Sequence, residues 1–548
     1  VQWHWDLEQI KARGFTDKLV EMMAGNIKKL PELTQNLLKL AACIGNLFDL
    51  KTLGLISEKS LPETVIGLQA AVAENLVDPV SNPGDVELAI ASAEFLAPPA
   101  AKGSSPSLEY KFAHDRIQQA AYSLIPDHEM AITHYQIGQL LLQQISPAAR
   151  EENIFKLANQ LNYGISLIAT PRERYQLAEM NLIACRKARA AAAYQAAREY
   201  ARVGLSLLED QAWSQEYRMT LALHELGAEL ALLSGDFEEM EKFSAIVTER
   251  AQSLLDQVNV YRIQIQANVS RTKFAEAIAI AQLPLQKIGV TLPTAPTPTD
   301  IEQAFQEIKD LIGDRTIEDL VNLPVMTDAE QIFIVQTLSS VIPAAYVSGS
   351  PLFPLLVALS VKLSIQHGNT SYSGFSYATY GIILCNLLDI TTGTQFGQLA
   401  FNVVSKLDAK LIKPEVLTVL GAFILHRKFH VKETLPLLQD GYATALEVGN
   451  LVFAGYNASN FCINSLWGGQ PLANLEQDTR AYYQNLVALN QMAAANYCLV
   501  HWQCILSLRD VAASASLSGH TYLSEAELLP NILAANDMLT LYFFYLYK

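Results

Sequence analysis

Turn markers recur between amphipathic helical stretches along most of this chain, and that recurrence limits the folds open to it. Ser234-Gly-Asp-Phe237 separates two amphipathic runs, and Arg271-Thr-Lys-Phe274 does the same 37 positions on. Thr392-Gly-Thr-Gln-Phe396, Arg427-Lys-Phe429 and Gly468-Gly-Gln-Pro471 follow at intervals of 33 and 42. These steps bracket the ~34-residue period of tetratricopeptide repeats and the ~40–47 of other helical arrays. A helix pair of that size cannot bury its apolar face alone. It must stack on its neighbours, which builds a curved α-solenoid of degenerate helical-hairpin repeats.

The first part of the chain follows another pattern. Thr16 is expected to cap a helix running to about Lys29, and Pro31 to open the next at its first turn. Asp49 suits the cap of a short helix through Ile56, and Leu61-Pro-Glu-Thr starts another through about Leu76. A strand over 76–80, a loop rich in Pro, Gly and Ala, a returning strand from Leu108 and a helix from Asp115 to Ile125 complete the outline of a winged helix. The expected fold class is therefore mainly α: a small winged-helix domain followed by a tetratricopeptide-like solenoid. The expected divisions are 1–14, the tail of a preceding domain; 15–125, the winged helix; 126–288, a first repeat block; 289–300, a linker; and 301–548, a second block. Three prolines in the Thr-rich run Gly289–Asp300 predict an extended linker, with Thr299 or Asp300 capping the next helix.

Composition narrows the function. Charged residues make up 17% of 548, below the ~25% of an average soluble chain, so much surface is expected to be covered. The net charge of −16 opposes contact with phosphate backbones. The helix expected to read DNA in a winged helix, Leu61–Asn75, carries Glu63 and Glu74 and no Lys or Arg, so no nucleic-acid partner is expected. Six scattered cysteines without a Cys-x-x-Cys pair read as buried thiols of a reducing compartment. The start lacks a signal peptide, and prolines interrupt the most apolar region, 332–363, so the expectation is a cytoplasmic chain with no membrane partner. Val1 is not Met, and the sequence stops within an apolar helix, which suggests a segment of a larger protein.

The sequence holds no Gly-x-x-x-x-Gly-Lys phosphate loop, kinase motif set, Gly-x-Ser-x-Gly or His-Glu-x-x-His, so no catalytic residue is expected. His114 and Asp115 fall at a strand-to-helix junction, where Asp115 suits an N-cap and His114 a hydrogen-bonded junction residue. Asn457, Asn460 and Asn464 share one helical face and are candidates for gripping a peptide or small polar ligand; the alternative is amides that cap turns or bridge helices. His426 and His430 with Glu433, and Cys498, His501 and Cys504, lack a convergent ligand set; neither predicts a metal, and the second group reads as core. Ser371–Gly381 alternates small and aromatic residues, as close helix packing requires, with an aromatic-lined pocket as the alternative.

The run Phe112-Ala-His-Asp-Arg-Ile-Gln-Gln-Ala-Ala-Tyr-Ser-Leu-Ile125 resembles a signature of large bacterial signalling ATPases of the STAND class. Trp3–Ile10 resembles the tail of their ATPase part, Leu38–Asn46 an early winged-helix helix, and Thr316–Pro324, Gly441–Gly449 and Gly468–Glu476 parts of their repeat region. The resemblance implies a parent protein with serine/threonine kinase, ATPase, GAF and histidine kinase domains, of the two-component kind. It places ADP or ATP in that parent and no cofactor in this segment. It also implies that His114, with Asp115 beside it, senses nucleotide state by touching a phosphate of ADP held in the adjacent ATPase domain. The expected function is a non-catalytic regulatory segment. Its winged helix gates the ATPase domain, and its repeats bind a protein partner or small-molecule inducer; oligomerisation is compatible with this. A passive helical scaffold, or the ligand-sensing part of a transcription regulator, are the alternatives.

Overall fold

The computed structural model describes residues 15–80, 108–509, 529–530, 532–533 and 537–548. The expected ATPase tail at 1–14 and most of the Pro/Gly/Ala-rich loop lie outside them. The described chain forms two compact units. One takes in the residues up to Ala184 with Val203–Gln211; the other takes in Cys185–Arg202 with Ala212–Lys548.

The first unit opens with helices α1 (Phe15–Ile27) and α2 (Glu32–Ile44), strand β1 (Leu47–Asp49), and helices α3 (Leu50–Ile56) and α4 (Leu61–Ala73). Strands β2 (Val77–Pro79) and β3 (Glu109–Phe112) follow, then α5 (Asp115–Tyr122). The local chemistry explains these starts. Asp49 accepts from the Thr52 amide at 2.7 Å, and Ser60 with Glu63 forms a capping box ahead of Pro62. The sheet is antiparallel with β3 in the centre, pairing Phe48 with Tyr110 and Val77 with Phe112. The sequence pattern anticipated β2 and β3 and missed the three-residue β1. Thr16 lies inside α1 rather than ahead of it. Phe48 and Phe112 pack at 5.5 Å under the sheet, over Leu37, Leu53 and Leu68.

Helices α6 (Asp127–Gln144), α7 (Pro147–Arg150), α8 (Ile154–Tyr163), α9 (Pro171–Ala190) and α10 (Tyr194–Ser206) come next. Buried Gln160 of α8 ties this region together. It donates to the Cys43 carbonyl at 2.7 Å and meets His134 Nδ1 at 2.7 Å, while His134 Nε2 meets the Tyr122 hydroxyl at 2.9 Å. Truncating it strands two buried polar groups. Gln160→Ala is expected to cost about 2 kcal/mol or more, read from the urea midpoint of the first unit.

The second unit is a stack of helical hairpins, an α-solenoid. Its helices are α11 (Ala212–Gln215), α12 (Tyr217–Leu233), α13 (Phe237–Arg250), α14 (Val258–Ser270), α15 (Phe274–Lys287) and α16 (Pro298–Ile312). Helices α17 (Ala329–Val347), α18 (Phe353–His367), α19 (Ser373–Asn386), α20 (Ile390–Lys406), α21 (Lys413–Val419) and α22 (Leu435–Val448) follow. The last are α23 (Leu451–Trp467), α24 (Leu472–Ala488), α25 (Met492–Arg509) and α26 (Met538–Tyr547). Two turn assignments change. Thr297, not Thr299 or Asp300, caps α16, because Pro298 occupies the first helical position, where a missing N–H costs nothing. Thr392–Phe396 is not a turn but the first part of α20; the turn is Leu387–Asp389, with Asp389 accepting from the Thr392 amide at 3.1 Å. Gly393 is there for contact: a Cβ on it would lie 2.8 Å from the Gly381 carbonyl of α19.

One apolar core runs past the Pro/Thr-rich run, joining Leu285 and Ile308 to Phe333, Tyr377 and Leu420. Residues 373–385 are buried throughout, so the Ser373–Gly381 part of the alternation packs helices rather than lining a pocket. His501 is also core: burial drives its pKa down to about 3, with Nδ1 at 2.9 Å from the Tyr547 hydroxyl.

Candidate functional site

His114 ends β3 and starts α5. Its Nδ1 accepts the Arg116 amide at 3.1 Å, so it, and not Asp115, is the N-cap; Asp115 is the first helical residue. That acceptor role fixes the neutral tautomer with the proton on Nε2. Both residues are exposed. Asn46, in the turn before β1, donates to Asp115 Oδ1 at 2.7 Å and ties the α5 start to α2 and β1. The junction thus presents an N–H donor on a braced backbone. In the same unit, α2, the end of α3 and the start of α6 surround a cleft of about 380 Å³, with Leu33, Leu37 and Ile56 on its floor and Lys39 and Lys59 at its rim.

The three asparagines lie on α23, and their amide donors are committed inside the solenoid. Asn457 is buried and donates to the Pro414 and Phe453 carbonyls at 3.1 and 2.8 Å. Its Oδ1 has no partner and sits where a side chain on Gly441 would collide. Asn460 donates to Tyr456 of its own helix at 2.7 Å. Asn464 donates to Thr434 at 2.9 Å and to the Gly421 carbonyl at 3.1 Å. Gly421 lies in a π turn, Leu420–Ile424, whose widened ladder leaves a carbonyl to satisfy. Asn457 and Asn464 are therefore helix bridges and Asn460 bonds within α23, which moves the binding expectation away from Asn457. His430 likewise caps a turn, accepting from the Lys432 amide at 3.2 Å. Among the described residues no group of three His, Cys, Asp or Glu stands close enough to hold a metal.

Sequence reasoning missed a second polar group. Glu225 of α12, Arg262 of α14, Tyr372 before α19 and Glu415 of α21 are all half-buried. Burial raises the pKa of both carboxyls and of the Tyr372 hydroxyl, and the positive field of Arg262 opposes each rise, so all three lie within electrostatic reach of Arg262. Glu415 is enclosed enough to be pushed up to about 8, although water still reaches it. Asn259 donates to Glu225 at 3.0 Å and Asn450 to Glu415 at 3.1 Å. Arg262 forms no ion pair among the described residues and reaches Gln266 at 3.4 Å. A half-buried guanidinium without a carboxylate partner among the described residues suits an acidic group on a small ligand. The only signal for it in the sequence is isolated charge in apolar helices, spread over 190 positions from 225 to 415.

Comparison with known proteins adds the following. No family model matches the chain. It is 24% identical over an alignment of 544 residues to "Hybrid signal transduction histidine kinase G" of Dictyostelium discoideum. The alignment covers 88% of this chain and 16% of that protein, so the chain spans about a sixth of the length of this curated relative. Among solved structures it is similar to a Signal Transduction ATPase with Numerous Domains (STAND) protein with a tetratricopeptide repeat sensor from Pyrococcus horikoshii, at 11% identity and a TM-score of 0.37. That similarity covers 94% of this chain and 66% of the other. No helix among the described residues is long and apolar enough to cross a membrane.

Proposed function

We propose that this chain is a non-catalytic regulatory segment of a signal-transduction protein. The observation that carries this reading is the alignment across 88% of the chain with a relative named as a signal transduction histidine kinase. We read residues 15–125 as a winged helix; the central position of β3 and the helix order α2-β1-α3-α4-β2-β3 support it. In this reading the winged helix holds a neighbouring nucleotide-binding domain of the same polypeptide closed through His114, whose Nε2–H donates to a phosphate oxygen of bound ADP. Asp115 braces that junction through Asn46, and the Arg116 amide keeps the imidazole oriented. The solenoid receives the input at Arg262, and binding there shifts the balance between closed and open states. In a longer polypeptide that carries the ADP-binding domain, His114→Ala is expected to speed ADP release about tenfold, the loss of one charge-assisted hydrogen bond. Release of a fluorescent ADP analogue measures it, and an unchanged rate removes His114 from the switch.

A further inference from the structure

Exposure of large apolar side chains in the second half of the solenoid is not scattered. Between Ala329 and Arg509 ten such side chains are exposed. Six sit where the first helix of a hairpin ends: Tyr346 and Val347 in α17, Leu387 and Leu388 after α19, Phe429 after the π turn and Trp467 in α23; Leu508 lies near the last described residue of α25. The other three, Leu411, Val487 and Met492, lie at the opposite turns. From Val347 the steps to Leu388, Phe429, Trp467 and Leu508 are 41, 41, 38 and 41 residues, one per hairpin. Contacts join the tips from Tyr346 to Trp467 into one edge. Arg427 donates to Asn386 at 3.1 Å, the Tyr346 and Phe423 rings lie 5.5 Å apart, and Lys432 lies beside Gly468.

Leu388 carries the strongest sign that this exposure is not incidental. It is 82% exposed and holds a left-handed backbone with φ +68°. Comparable turns place Gly235, Gly349 and Gly469 in that region, where glycine bears no strain, and the smaller Ala192 and Thr272 in others. A leucine there costs backbone energy and returns no burial within this chain. The edge also departs from the acidic character of the whole, which is −16. Residues 426–433, His-Arg-Lys-Phe-His-Val-Lys-Glu, supply three cations against Glu433. Asp389, beside Leu388, is turned to its helix cap.

We propose that this edge is a peripheral docking surface for an anionic lipid bilayer. Apolar tips borne on separate turns offer no continuous trough for a partner helix. Each can instead enter the headgroup layer while Arg427, Lys428 and Lys432 meet lipid phosphates and carboxylates, and tryptophan favours that boundary. The expectation of no membrane partner rested on the lack of a spanning segment, and surface docking needs none.

The test is sedimentation of the full chain with vesicles of phosphatidylcholine, alone or with about a third phosphatidylserine. The chain is expected to pellet with the anionic vesicles and to release as salt is raised. Exchanging Arg427, Lys428 and Lys432 together for glutamine should weaken binding about a hundredfold, about fivefold per charge. Phe429→Ser with Trp467→Ser should weaken it about tenfold or more, while Leu411→Ser with Val487→Ser at the opposite edge leaves it unchanged. Circular dichroism of each variant must match the parent chain. Failure to pellet with anionic vesicles overturns the proposal. So does equal loss from both edges. If the Phe429/Trp467 pair instead abolishes self-association in light scattering without changing sedimentation, the edge joins copies of the chain and the proposal is wrong.

Discussion

Replacing Gly368 with alanine is expected to destabilise the second unit by about 3 kcal/mol or more. Gly368 follows α18 with φ +104° and ψ 172°, a region closed to side chains. A Cβ there would lie 2.3 Å from the Pro324 carbonyl oxygen and 3.1 Å from the Met326 amide nitrogen. Neither can retreat, because both are held by the next residue. The Asn369 amide donates to Pro324 at 2.8 Å, and Met326 donates to the Asn369 carbonyl at 2.9 Å. The Asn369 side chain donates to Leu320 at 2.8 Å and accepts the buried Tyr377 hydroxyl at 2.9 Å. Displacing this crossing disturbs the α19 core. Gly349→Ala is the control, since φ is +64° there and nothing lies within 4 Å; it should cost about 1 kcal/mol. Urea unfolding of both variants measures the difference, and equal midpoints would refute the locked crossing.

The second large effect is a dependence of stability on pH through Glu415. Burial lifts its carboxyl from 4.5 to about 8, so between those values the folded chain keeps a proton that the unfolded chain has released. Stability contributed by the neutral form is therefore present below about pH 4.5 and lost as pH rises toward 8. The slope is at most about 1.4 kcal/mol per pH unit, reduced by the water that reaches the group. Glu415→Gln keeps a hydrogen-bonding partner for Asn450 and removes the titration, so it should gain stability relative to the parent between pH 5 and pH 8. His501 acts at the other end. Its depressed pKa removes stability as pH falls from 6.5 toward 3, and that limb should be the same in both proteins. Parallel curves of unfolding free energy against pH would show that Glu415 is ionised in the folded state.

Much of the fold was legible because its signals are local. Asp49, Ser60 with Glu63, and Gly469 mark helix ends by chemistry within four residues. The Thr392–Phe396 error arose because glycine serves two purposes: Gly393 reads as a turn but permits helix contact. Strand β1 is too short to show alternation, and only its pairing with β3 creates it. The α23 asparagines were placed on the right helix, but their partners, Pro414 and Gly421, lie 43 positions away and carry no side-chain signature. The polar group around Arg262 was invisible for the same reason, since its members come from four hairpins. His114 was found by motif, yet its capping role depends on the Arg116 amide, which sequence leaves open between two neighbours.

The reading of the solenoid as a receiver, rather than a spacer, is tested most directly by ligand-dependent thermal unfolding of the chain. The panel is small metabolites and second messengers bearing a carboxylate or phosphate, run on the parent chain and on Arg262→Gln. A binder at a hundredfold excess over its dissociation constant adds about 2.7 kcal/mol to the folded state. A receiver gives a concentration-dependent rise in melting temperature for one chemical class in the parent chain and its loss in Arg262→Gln. A shift of equal size in both proteins, or no shift across the panel with stable self-association by light scattering, would contradict it and leave a scaffold.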